Sequence, residues 1–163
     1  MVRSVWFAGM IACLGACSQA PEKAESPGTP AATAEPSGPD VIIPFAEVAF
    51  ADEAPGQPQQ LGKLWGERAS GPAGTYLRTP GGFEAPLHSH TANYRAVVIQ
   101  GVWSHWVPEQ GQAGGEPLPV GSYWTQRADQ PHKDACLSDE PCVILLINRD
   151  PYVTELEEPA SRP

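Results

Sequence analysis

The sequence predicts an all-β fold, a small sandwich or barrel, and three observations carry that expectation. Its apolar runs are short and rich in β-branched residues, as in Ala96-Val97-Val98-Ile99 and Val143-Ile144-Leu145-Leu146-Ile147. Glycine and proline, 16 and 19 of 163 residues, punctuate those runs as turn signals as well as filling the N-terminal stretch. No segment carries a helical apolar stripe longer than a turn or two, and no longer internal repeat is visible. Five Trp, four Tyr and four Phe are enough for a real core. The 19 acidic residues outweigh the 10 basic ones, giving a formal net charge of −9. That balance argues against a nucleic-acid partner, whose phosphates need a basic face.

In chain order, the first segment reads as an address. Arg3 precedes an uncharged stretch from Val5 to Leu14, too short for a membrane span of roughly 20 residues and suited to a secretory signal. Leu14-Gly15-Ala16-Cys17 resembles the lipobox of bacterial lipoproteins. The expected organisation is a signal peptide over 1–16 and a lipidated Cys17 opening a Pro/Ala-rich linker over 17–40. A barrel over 41–155 and a disordered tail over 156–163 complete it. The linker lacks aromatic residues and apolar periodicity, so it cannot offset its own ordering entropy. As a flexible tether it reaches about 25–30 Å. Acyl chains on Cys17 would anchor the chain in a membrane. Ser18 resembles the outer-membrane sorting pattern of enteric bacteria, which places the protein in the cell envelope, on the periplasmic face.

The expected strands begin with Val41-Ile42-Ile43 and Phe45 to Phe50, an edge strand broken by Pro44. Lys63 to Gly66 and Gly74 to Arg78 follow. Pro80-Gly81-Gly82 turns the chain into His88-Ser89-His90, after which Arg95 to Val107 forms a hairpin arm or two strands bent at Gly101. Pro108 to Pro119 is a polar loop, Gly121 to Gln126 a strand, and His132 opens another. Cys142 to Asn148 is the most apolar strand of all.

Residues i and i+2 of a strand share a face, so His88 and His90 present two imidazoles together. Two neutral imidazoles are half of a transition-metal site. A third must come from later in the chain, where only His105 and His132 remain. His105 stands among tryptophans without motif support and reads as a packing or surface residue.

Gly82-x5-His88-x-His90-x3-Tyr94-x6-Gly101 resembles the first motif of the cupin superfamily, and Pro119-Val120-Gly121 with His132 resembles the second. The likeness spans roughly 64–152. The text around the motifs looks most like small bacterial single-domain cupins related to the ChrR-like branch. The resemblance implies a small conical β-barrel (a double-stranded β-helix, or jelly roll) with His88, His90 and His132 converging on one divalent transition metal. Fe, Mn, Zn, Ni and Cu all stay open. The family's usual glutamate ligand falls at Tyr94, or at Arg95 with a longer spacer, and neither is a carboxylate. Tyr94 would orient a substrate or donate a proton, and Arg95 would pair with an anionic ligand. Glu84 is a further candidate for the rim. The inferred centre therefore lacks a compensating carboxylate and favours an anionic or chelating small molecule. Cupins often dimerise through edge strands, so a homodimer is among the arrangements the resemblance allows.

Cys136 and Cys142 are the cysteines left once Cys13 is cleaved off and Cys17 acylated. They flank Leu137 to Pro141, read as a hairpin tip, and a disulfide between them suits an oxidising compartment. A soft-metal or redox role is the alternative, but their spacing matches no common zinc motif. Two functions follow. One is a metal-dependent, dioxygenase-like enzyme acting on a small organic acid or chelating metabolite, and the other is a non-catalytic metal- or ligand-binding lipoprotein.

Overall fold

A computed structural model describes residues 39–108 and 114–157. The expected signal peptide, Cys17 and nearly all of the linker lie outside the described residues. Among the described residues no helix is long and apolar enough to cross a membrane.

Among the described residues a 3-10 turn, Phe45–Glu47, precedes ten strands: β1 Phe50–Asp52, β2 Gln60–Gly66, β3 Ala73–Thr79, β4 His88–His90 and β5 Tyr94–Gln100, then β6 Trp103–Trp106, β7 Tyr123–Gln126, β8 Lys133–Cys136, β9 Cys142–Asn148 and β10 Thr154–Leu156. Six of them form an antiparallel sheet in the order β1-β2-β3-β9-β5-β7. The others form two pairs, β10-β4 and β6-β8. A bridge between His88 and His132 joins those pairs into a second layer. The architecture is the jelly roll that the cupin resemblance implies.

Position in the sheet explains the composition of each strand. β9 lies between β3 and β5, so both its hydrogen-bonding edges are paired; Cys142, Val143, Ile144, Leu146 and Asn148 are buried, while Leu145 and Ile147 on the other face are half-buried. β5 alternates throughout: Tyr94, Ala96 and Val98 are buried while Arg95 is exposed. The core combines Tyr94, Ala96 and Val98 of β5, Ile144 and Leu146 of β9, and Trp103 of β6. Each large apolar side chain taken fully out of water there contributes about 1.5–3 kcal/mol before chain entropy is counted.

Three expectations about elements need correction. Val41 to Ile43 is exposed and in no strand; an apolar run becomes a strand only with a partner, and Pro44 passes the chain directly into the 3-10 turn. Leu137 to Pro141 is not a hairpin tip, because β8 pairs with β6 whereas β9 pairs with β3 and β5. The Cys136–Cys142 disulfide therefore ties one layer to the other. Leu156 is not disordered: it ends β10, which pairs with the histidine strand (Thr154 with His90, Leu156 with His88). The rest of the expected tail from 158 onward lies outside the described residues.

Candidate metal centre

The site is built where β4, the start of β8, β6 and β5 converge inside the barrel. β4 is only three residues long, and all three are buried. It is held on one side by β10 and on the other by His132, whose backbone exchanges two hydrogen bonds with His88, at 2.8 and 3.1 Å. Such directly opposed residues project their side chains to one face, and the two imidazole centroids lie 4.3 Å apart. His90, two residues along, brings its ring to 4.9 Å from His88 and 5.0 Å from His132. The turn into His132 is fastened by Asp129, whose backbone N–H donates to the His90 carbonyl at 2.9 Å while φ is +56°. Aspartate tolerates that left-handed conformation better than most residues. The sequence thus delivers three imidazoles to one point, with ligand atoms within 4.8 Å of one another.

Their tautomers are set from outside. His88 Nδ1 faces the Pro86 carbonyl at 2.8 Å and His132 Nδ1 faces the Gln130 carbonyl at 2.9 Å. Each Nδ1 must donate, which leaves Nε2 of the neutral ring as a lone pair turned inward. A backbone carbonyl on the far nitrogen is the usual way a ligating histidine is oriented. His90 Nδ1 is buried with no hydrogen-bond partner. Burial, then the neighbouring His88 and His132, holds His90 at about 2. Burial also takes His132 to about 4, with Asp134 opposing the shift. Both rings are neutral near pH 7, the form that binds metal.

Tyr94 is at the cluster as expected. Its hydroxyl lies 3.5 Å from His132 Nε2 and receives the Trp124 indole N–H at 3.5 Å. Burial, with Asp134 and Tyr152 adding to it, pushes its ionisation well above the ordinary range, so it acts as a neutral donor. Arg95 does not reach the site. Strand alternation turns it outward, the opposite way from Tyr94, and it is exposed. Glu84 also stays outside, in an ion pair with Lys133.

Two residues join that the motif did not supply. Asp134, two residues beyond His132 on the same face, is buried. Its Oδ1 accepts from Trp103 Nε1 at 3.0 Å and from His105 Nδ1 at 2.8 Å. Its Oδ2 stands 3.5 Å from His88 Nε2 and 3.6 Å from His132 Nε2. The expectation of a centre without a carboxylate is thereby corrected. His105, opposite Asp134 in the β6–β8 register, is no surface residue: Nε2 faces Gln126 Oε1 at 2.9 Å, and its ring is 4.9 Å from His132. Both of its nitrogens face oxygen acceptors, so it carries two protons. Burial alone would lower its pKa, but the Asp134 hydrogen bond and charge more than reverse this and raise it. Asp134 in turn is held at about 2, against the opposing effect of its burial, by His105 first and then His132 and His88.

A cavity of about 370 Å³ opens onto His88, His90, Tyr94 and Asp134. Its lining includes Leu77, Phe83, Ile144 and Leu146, together with Arg68 and Glu53, which pair with each other. A larger depression of about 460 Å³, around Lys63, Glu67 and Thr154, touches none of the histidines.

A family model described as a domain of unknown function, DUF4437, matches residues 47–148. No curated protein matches the chain. Among solved structures, the polyketide cyclase RemF from Streptomyces resistomycificus is similar over 75% of this chain and 88% of its own, with 16% identity and a TM-score of 0.61. A sugar phosphate isomerase of the cupin superfamily from Silicibacter pomeroyi aligns over 73% and 83%, with 14% identity and a TM-score of 0.54. KdgF from Halomonas sp. aligns over 67% and 94%, with 15% identity and a TM-score of 0.52. At these identities the likeness is one of fold. The chain belongs to the DUF4437 family, and its fold is that of the cupins.

Proposed function

We propose that this protein binds one divalent transition metal through His88, His90 and His132 and acts as a metal-dependent enzyme on a small organic ligand that enters the apolar cavity. One observation carries the assignment: the outer nitrogens of His88 and His132 donate to backbone carbonyls, so the inner ones meet as lone pairs, which a cation satisfies. A bound metal supplies Lewis acidity or a site for dioxygen. The chain supplies the rest. Tyr94 offers a hydroxyl hydrogen to an oxygen of the ligand, and Leu77, Phe83, Ile144 and Leu146 exclude water from it. Arg68, in the lining of the cavity where Arg95 is not, would meet an anionic group by exchanging its Glu53 partner for it. Chelating organic acids of modest size fit this combination of metal, donor and apolar wall. Several fold relatives bear enzyme names, among them a cyclase and an isomerase, and that agrees with a barrel able to host chemistry without identifying a substrate.

A non-catalytic binding module is the second assignment. It is favoured by the chemistry of Tyr94, which burial keeps protonated and which therefore serves as a donor but not as a base. In both cases we place the protein in the envelope, anchored through Cys17, on the strength of the N-terminal sequence.

Elemental analysis of the purified protein, beside a His88→Ala/His132→Ala double variant, tests the metal. One equivalent in the wild type and none in the variant is expected; no metal in either ends both assignments. Oxygen uptake or turnover with a panel of small hydroxy and keto acids then separates enzyme from module.

A further inference from the structure

We propose that Asp134 is a fourth ligand of the metal centre, supplying through Oδ2 the carboxylate that position 94 lacks. This rests on the three-histidine site proposed above. The carboxylate is divided by its surroundings. Oδ1 takes both nearby donors, Trp103 Nε1 at 3.0 Å and His105 Nδ1 at 2.8 Å. Oδ2 is left facing His88 Nε2 at 3.5 Å and His132 Nε2 at 3.6 Å.

Those two distances distinguish a co-ligand from a hydrogen-bond partner. A charge-assisted N–H···O bond closes to about 2.7–2.9 Å, shorter than either Oδ2 contact. A tetrahedral ion with bonds of about 2.0–2.2 Å instead sets its ligands about 3.3–3.6 Å apart along each edge. The Oδ2 contacts with both nitrogens fall inside that interval. Strand geometry gives the same answer, because His132 and Asp134 are i and i+2 and share the inward face.

Trp103 and His105 act as positioning residues. By occupying Oδ1 they fix the carboxylate plane and leave one oxygen for the ion, the role outer hydrogen-bond partners play around ligating carboxylates. A carboxylate entering from the second-motif strand lowers the formal charge of a divalent centre from +2 to +1. The ligand set becomes three nitrogens and one oxygen, with Tyr94 beside it as a donor and not as a ligand.

The test loads the full chain with Zn²⁺ and with Co²⁺ and compares wild type with Asp134→Asn. The variant should bind Zn²⁺ at least 10- to 100-fold more weakly, the loss that follows removal of even an outer partner, and its Co²⁺ visible absorption should change in shape and intensity. Identical affinity and an identical Co²⁺ spectrum in the two proteins would overturn the proposal while leaving the three-histidine centre intact. A wild type that binds neither ion would overturn the centre itself, and this ligand with it. Should the variant fail to fold, a crystal structure of the Zn²⁺-loaded wild type decides. Oδ2 at about 2.0–2.2 Å from the ion supports the assignment, and a water interposed between them refutes it.

Discussion

Acidifying the metal-free protein should destabilise it well before its carboxylates titrate. His90 and His132 have folded values of about 2 and about 4 against an ordinary 6.5. In the unfolded chain both imidazoles take up protons as pH falls through 6.5, whereas in the folded chain they do not. Their contribution is therefore complete above 6.5 and is lost as pH falls, down to about 4 for His132 and about 2 for His90. Between pH 7 and pH 5 each costs about 2 kcal/mol. His105 works in the opposite sense. Its raised value adds stability that is fully present below 6.5 and lost as pH rises through its folded value, so it offsets only a minor part of the loss in this window. Asp134, at about 2 against 3.8, begins to matter only below pH 4. The net loss is about 2–4 kcal/mol, a large share of the roughly 5–15 kcal/mol that holds a domain folded. Urea unfolding of chelator-treated protein at pH 7, 6 and 5, followed by tryptophan fluorescence, measures it. A His90→Gln variant should show about half the pH dependence. Stability that is flat or rises from pH 7 to pH 5 would refute the reasoning, since it would mean the cluster already holds its protons when folded.

Reducing the Cys136–Cys142 bridge should cost about 2–2.5 kcal/mol, or about 10 °C in Tm, read by a thermal scan with and without reductant alongside thiol titration. Gly101→Ala places a side chain at φ +80° with its Cβ 2.7 Å from Cys142 Sγ. It should lose at least about 1–2 kcal/mol, whereas Gly71→Ala, with nothing within 4 Å, should stay within about 0.5 kcal/mol; paired urea titrations compare the two. Arg95→Ala should leave metal content unchanged by elemental analysis, because the side chain lies on the outer face of β5.

The histidine triad was legible because two local rules reached it: strand alternation for His88 and His90, and motif spacing for His132. The same alternation, applied to His132-x-Asp134, would have found the carboxylate; the motif asked for a glutamate near position 94 and drew attention away. Alternation also places Arg95 outward once Tyr94 points in. His105 was beyond local reach. It enters the cluster only because β6 pairs with β8 and sets it opposite Asp134, a register fixed by tertiary packing between segments far apart in sequence. The loop between Cys136 and Cys142 misled for a related reason. A short connection between strands usually closes a hairpin, and here it passes from one layer to the other.

The short strand carrying His88 and His90 is flanked by the last described strand, with Glu157 donating its backbone N–H to the Leu87 carbonyl at 2.9 Å. All four histidines are therefore synthesised long before the segment that clamps two of them in place. A nascent polypeptide ending at Asn148 would hold every imidazole and no finished pocket. Deleting Thr154 to Leu156 should therefore loosen His88 and His90 although it removes no ligand.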